Sequence, residues 1–185
     1  MGPQGAGKGT QAARLAEVFG IVPISTGDIF RANIAGETEL GRLAQEYTNK
    51  GDLVPDEVTN AMVRDRLAEP DVKEGFILDG YPRNAAQVTE LDQILADLGW
   101  ELDGVIELTA DRAELLTRIA RRAQDEGRDD DTKDAITRRL DIYAEQTAPL
   151  TAAYGERNLL VQVDGLGEIA DVTDRIVAAL AAQLG

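Results

Sequence analysis

Cysteine and histidine are both absent from the 185 residues. Disulfides and thiolate zinc sites are thereby excluded, and acid–base or metal chemistry must run on carboxylates, lysine, arginine and hydroxyls. Basic residues are scarce as well, 19 Lys and Arg against 34 Asp and Glu, a formal charge of −15. Such a surface repels a polyanion, which argues against general nucleic-acid binding. A small phosphate ligand is compatible with it only where the cations gather in one cleft. No apolar run approaches the roughly 20 residues of a membrane span. No basic leader precedes an apolar stretch at the start. The chain is therefore expected in the cytoplasm. Apolar residues make up 43%, ordinary for a globular protein, and the length suits one domain over 1–185.

Along the chain, strand-like and helix-like segments alternate. Residues 9–19 place Ala12, Leu15, Ala16 and Phe19 on one helical stripe. Short apolar strands are expected at 21–24, 75–80, 104–108 and 159–163, the second ending in the carboxylate of Asp79. Helices are expected at 27–35, 40–48, 56–68, 85–98, 111–123 and 168–184, with one long helix over 132–154 that Pro149 ends or kinks. Alternation of this kind predicts a parallel sheet covered by helices on both faces. The polar run 125–134 reads as a loop.

The opening Gly2-Pro3-Gln4-Gly5-Ala6-Gly7-Lys8-Gly9-Thr10 fits G-x-x-x-x-G-K. Glycines let backbone N–H groups turn inward on phosphate oxygens, and a lysine adds a point charge. The following helix presents its positive end to the same anion. The usual Ser or Thr directly after the lysine is displaced by one residue: Gly9 intervenes before Thr10.

GPQGAGKGTQ is followed in order by ISTGD, LVPDE, FILDGYPR, RRLDIY and TAPL. Together these resemble the nucleoside monophosphate kinases, and among them the adenylate kinase family, over nearly the whole chain. The resemblance implies a P-loop NTPase-like α/β fold with a helical nucleoside-monophosphate lobe at 25–54 and a minimal lid loop at 122–128. It implies MgATP as phosphoryl donor, AMP as acceptor, two ADP as products, no zinc, and a monomer without nucleic-acid or membrane partners. Gly5, Ala6, Gly7, Lys8, Gly9 and Thr10 resemble the ATP-phosphate cradle, with Arg118 and Arg122 as phosphate-binding arginines and Gly167 near the ATP adenine. Thr26, Arg31, Asp52, Leu53, Val54, Gly80, Tyr81, Pro82, Arg83 and Gln87 resemble the AMP site, Gln87 reading adenine. Arg128 and Arg139 resemble the pair that reaches AMP and the transferring group. Asp79, assisted by Asp28, is expected to orient Mg²⁺ through waters.

Phosphoryl transfer asks for charge neutralisation and positioning more than for acid–base groups, so a chain without histidine can perform it. Arg118 and Arg122 lie four apart on one helix face, a like-charged pair that wants an anion between them. Arg128 and Arg139 are eleven apart, about three helical turns. Arg121 and Arg138 are expected on the surface. Three features depart from the family pattern. Only Ala123 to Gly127 separate Arg122 from Arg128, which matches the short, lidless type. Thr26 and Gln87 favour AMP, whereas Asn84 is commoner in the UMP/CMP kinases, the nearest alternative. Finally, the family's first strand leads into Gly2, and here only Met1 precedes it. The expectation is a lost upstream segment, with a nucleotide-binding module that turns nothing over as a further alternative. A GTPase is disfavoured, since no guanine-reading Asn/Thr-Lys-x-Asp motif follows the loop. Unpaired buried backbone groups cost about 1–3 kcal/mol each, against stabilities of about 5–15 kcal/mol. A short apolar segment added ahead of Met1 should therefore raise the melting temperature, and an unchanged value in a thermal melt would count against a missing strand.

Overall fold

The computed structural model describes the backbone of residues 1–126 and 132–185, and the side chains outside 122–131. The expected lid at 122–128, with Arg122 and Arg128, lies outside those side chains. Strand β1 (Val22–Ser25) pairs in parallel with β2 (Phe76–Asp79), Val22 opposite Phe76 and Ser25 opposite Asp79. Strand β3 (Val105–Thr109) pairs in parallel with β4 (Leu160–Asp164), Val105 opposite Leu160. The helices are α1 (Lys8–Phe19), α2 (Thr26–Ala35), α3 (Glu39–Thr48), α4 (Asp56–Leu67), α5 (Ala85–Leu98), α6 (Arg112–Glu126), α7 (Lys133–Ile142), α8 (Leu150–Glu156) and α9 (Ile169–Leu184). The parallel α/β arrangement is thus present, its strands forming two two-stranded ladders.

Met1 lies along the edge of β3 opposite β4. Its ammonium donates to the Ile106 carbonyl, and its own carbonyl accepts from the Leu108 N–H at 3.0 Å. Two bonds straddling Glu107 are the pattern of a parallel ladder. The first residue therefore forms one rung where the resemblance implies a strand. Burial pushes its amine down to about 5, because a desolvated ammonium is disfavoured.

One core gathers Leu15 of α1, Leu108 of β3, Leu115 of α6, Val161 and Val163 of β4, and Val172 and Ile176 of α9. Ile77 of β2 packs against it, so side chains link the two ladders. A second core joins Ile24 of β1 to Val63 and Leu67 of α4 and to Leu91, Ile94 and Leu95 of α5. A third holds the helical lobe together through Phe30, Ala44 and Val54.

Local signals explain most boundaries. Helix α5 starts where the Asn84 side chain accepts from the Gln87 N–H and ends at Gly99 in the left-handed conformation. Helices α3 and α7 start on Thr38 and Thr132, each hydroxyl accepting an N–H three residues on. Two expectations need correction. Phe19 is 47% exposed rather than part of the buried stripe, because α1 turns away at Gly20. The long helix at 132–154 is interrupted: α7 ends at Ile142, a π-helical turn covers Tyr143–Thr147, and α8 begins after Pro149. The wide turn lets the Tyr143 hydroxyl donate to Glu107 at 3.1 Å and the Thr147 hydroxyl donate to the Arg83 carbonyl at 2.6 Å.

Leu15 is 1% exposed at the centre of the first core. Leu15→Ala should cost about 2–5 kcal/mol, read from the midpoint of urea unfolding.

Candidate active site

The glycine-rich loop packs against the carboxyl ends of the strands, where open parallel sheets bind ligands. Its Gly9 approaches the Asp79 carboxylate at the end of β2. Gly2 lies against Leu108 of β3, and Ala6 faces Gly165, just past β4. The loop closes on itself: the Ala6 N–H donates to the Pro3 carbonyl at 3.2 Å, and Lys8 Nζ donates to the same carbonyl at 3.0 Å. Gly5 has a φ of +86°, and a Cβ there would lie 2.9 Å from the Leu115 carbonyl, so both conformation and space require glycine. Gly7, also left-handed, turns the chain into α1. Gly9 and Thr10, in the first turn of α1, are exposed. Their unsatisfied N–H groups and the helix dipole make this end a place for an anion.

Helix α1 is fixed from behind by a residue that no sequence motif singled out for a role. Gln11 is buried, donates to the Ile169 carbonyl at 3.0 Å and accepts from the Thr173 hydroxyl at 2.8 Å, both on α9. On the same side, Arg118 of α6 donates to Glu114 at 2.6 Å and to the Gly165 carbonyl at 2.9 Å. Gly167, at φ +105°, lies in the loop after β4. The Arg175 guanidinium donates there to the carbonyls of Asp164, at 2.6 Å, and Leu166.

A second half-site forms at the ends of β1 and β2. Thr26 is 2% exposed and donates to the Asp79 carbonyl at 3.4 Å. Gly80, Tyr81 and Pro82 lead from β2 to Arg83. Tyr81 is buried, its hydroxyl donating to Asn60 at 2.8 Å, and burial pushes that hydroxyl above its ordinary value. Arg83 is anchored along its length. Its Nε donates to the Gly80 carbonyl at 2.7 Å, its N–H donates to Gln87 Oε1 at 2.7 Å, and its carbonyl accepts from Thr147. Burial lowers the affinity of its guanidinium for the proton; Asp79 opposes this, and the neighbouring cations Arg139 and Arg31 add to it. Three arginines thus lie near Asp79, and one of them, Arg31, also pairs with Asp28. Arginine stays charged at neutral pH, so the cluster favours an added anion.

The lobe comes down onto α7. Arg139 Nη2 donates to the Thr48 carbonyl at 3.0 Å. Arg138, expected as a plain surface residue, is half-exposed and pairs with Asp52 at 2.8 Å. Gly51 is buried against Ala135, whose carbonyl would lie 2.4 Å from a Cβ at that position. Leu53 is half-buried, and Val54 belongs to the lobe core. Arg121 is exposed.

Asp79 Oδ1 is buried without a hydrogen-bond partner among the described residues. It borders a cleft lined also by Gly9, Ser25 and Asp28. Asp28 carries Arg31 on one oxygen. Two carboxylates beside a phosphate loop fit a hydrated Mg²⁺, a hard cation that keeps much of its water.

The family model described as adenylate kinase matches residues 1–159. The chain belongs to the adenylate kinase family. It is 62% identical over 180 residues to an adenylate kinase of Kocuria rhizophila, covering 97% of this chain and 96% of that one. An adenylate kinase of Bifidobacterium longum is 59% identical over 180 residues, covering 97% of each. One of Thermobifida fusca is 57% identical over 180 residues, covering 97% of this chain and 95% of the relative. Among the described residues, no helix is long and apolar enough to cross a membrane.

Within this adenylate kinase site, Thr147 holds Arg83 from a turn that only tertiary structure reveals. Thr147→Val keeps the volume and orphans the Arg83 carbonyl, which should cost about 1–3 kcal/mol. Unfolding by urea and the KM for the phosphate acceptor should both register the loss.

Proposed function

We propose that this chain transfers the γ-phosphoryl group of MgATP to AMP, giving two ADP. The observation that carries this reading is the gathering of cations in a chain of charge −15. Lys8 and the α1 N-terminus stand on one side, with Arg31, Arg83 and Arg139 together on the other. Family membership and relatives named adenylate kinase support the class.

In this reading Gly5 to Thr10 cradle the ATP phosphates, Arg118 and Arg122 neutralise them, and Gly167 borders the adenine. Arg31, Arg83 and Arg139 bind the AMP phosphate. Thr26, Asp52, Leu53, Val54, Gly80, Tyr81 and Pro82 wall the acceptor site, and Gln87 faces the adenine base. Arg128 joins Arg139 at the transferring group from the short lid. Bound Mg²⁺ would neutralise phosphate charge, held through water by Asp79 and Asp28. An AMP phosphate oxygen attacks the γ-phosphorus, and the bridging oxygen leaves with the bonding pair on the departing ADP. The arginines hold the two phosphates in line and stabilise charge as it spreads. Descent of the lobe and lid excludes water, the competing acceptor. The protein works as a monomer in the cytoplasm.

The pyrimidine reading loses its support at Asn84. That side chain caps α5 and donates to both oxygens of Asp56, at 3.0 and 3.2 Å. The asparagine thus has a structural role, capping α5 and holding Asp56, that needs no contact with a base.

ADP formation from MgATP should be fast with AMP, far slower with UMP or CMP, and abolished by chelating magnesium. Preference for a pyrimidine acceptor would overturn the assignment. Nucleotide binding without turnover would favour a binding module.

A further inference from the structure

Gln87 is 2% exposed, and its amide is held by two partners that each work one way. Its Nε2 donates to Asp56 Oδ1 at 2.7 Å. A carboxylate accepts and cannot donate. Its Oε1 accepts from the Arg83 backbone N–H at 2.7 Å. A backbone N–H donates and cannot accept. Amide oxygen and nitrogen have nearly the same shape, so only hydrogen-bond partners tell them apart. Here both partners require the same orientation. A flipped amide would set Nε2 against an N–H and Oε1 against a carboxylate, two like-signed contacts in a buried place.

The lock is itself braced. Asn84 donates to both Asp56 oxygens at 3.0 and 3.2 Å and accepts from the Gln87 N–H at 2.9 Å. The Arg83 peptide is fixed through its carbonyl by Thr147 at 2.6 Å. Asp56 is the first residue of α4, where the helix dipole favours a carboxylate.

A glutamine free to flip reads a base in either sense. Adenine offers an amino donor beside a ring-nitrogen acceptor, and a 6-oxo purine offers the reverse. A glutamine of fixed sense keeps one lone pair on Oε1 and one N–H on Nε2, in one order only. That order can serve one of the two base types, and the other meets unpaired polar groups. We propose that Asp56 is a specificity-positioning residue: by fixing the orientation of the Gln87 amide, it makes the acceptor site select the amino purine over the 6-oxo purine. This rests on the reading that Gln87 faces the acceptor base. Asp56 itself touches Gln87 and Asn84, and acts through the former.

The test compares kcat/KM for AMP and for inosine 5′-monophosphate in the native enzyme, Asp56→Asn and Gln87→Ala. Asparagine at 56 can turn its own amide to match a flipped Gln87, which removes the Asp56 half of the lock and leaves only the like-signed contact at the Arg83 N–H. The AMP-to-IMP ratio should fall by about tenfold in Asp56→Asn, where one of the two orienting contacts is lost, and by more in Gln87→Ala, where both are. If Gln87→Ala collapses the ratio and Asp56→Asn leaves it unchanged, the lock is wrong and the base-facing reading stands. If Gln87→Ala also leaves the ratio unchanged, the base-facing reading fails and the lock falls with it. A purely structural Asp56 would lower both acceptors alike at constant ratio, which likewise overturns the proposal. Should Asp56→Asn not fold, Asp56→Ser gives the same comparison, since its hydroxyl both donates and accepts and suits a helix start.

Discussion

The half-site at the ends of β1 and β2 depends on how one cation is held. Arg83 stands at the end of β2 with burial working against its charge, and desolvating a guanidinium is costly unless its N–H groups are met. The chain meets the guanidinium at Nε and holds the Arg83 peptide on both sides. The Gly80 carbonyl takes Nε, Gln87 Oε1 takes the backbone N–H, and Thr147 reaches back to the Arg83 carbonyl. Each bond comes from a different element: the strand end, α5 and the π turn after α7. Fixing one residue therefore fixes the mutual placement of three elements around it.

Elsewhere arginines are treated differently. Arg64 pairs with Glu90 and Asp97, Arg66 with Asp71 and Glu69, and Arg157 with Asp92, all with carboxylates on the surface. In the site, Lys8, Arg83 and Arg139 donate to the carbonyls of Pro3, Gly80 and Thr48. A carbonyl fixes geometry without cancelling a full charge. Arg31 and Arg118 of the site do carry carboxylates, those of Asp28 and Glu114, and in so acidic a protein the local positive potential comes from Arg31, Arg83 and Arg139 lying close together. Association with a phosphate ligand then runs against the net charge yet with the local field.

Much of this was legible in the residues. The motif series set the family, and local signals set α5 from Ala85 to Leu98, because its cap and its terminal glycine are both local. What was hidden shares one cause, partners distant in sequence. Thr147 serves Arg83 across 64 residues, which bends a periodic 132–154 stretch into two helices and a π turn. Arg138 is a surface residue as expected, but its partner Asp52, 86 residues away, is not visible from its neighbours. Gln11 ties α1 to α9 through Thr173 across 162 residues. Met1 takes a rung beside β3, a role no reading of its neighbours provides. Asp56 sat inside a quoted motif, but its duty to Gln87 shows only when α4 and α5 are packed.

The contacts between lobe and α7 show how closure and charge placement are joined. Arg139 belongs to the cluster around Arg83 and also holds the Thr48 carbonyl at the end of α3. Arg138, next to it, holds Asp52. The contact that seats the lobe on α7 and the cation cluster thus share Arg139. The Arg138–Asp52 pair is largely exposed, 53% and 35% at its side chains. Pairs of that kind are worth about 0–1 kcal/mol. A buried pair would hold the lobe more firmly and oppose opening, which product release requires. In the proposed reading, a weak exposed tie of this kind leaves a phosphate ligand at the Arg31, Arg83 and Arg139 cluster as the main force that would close the site.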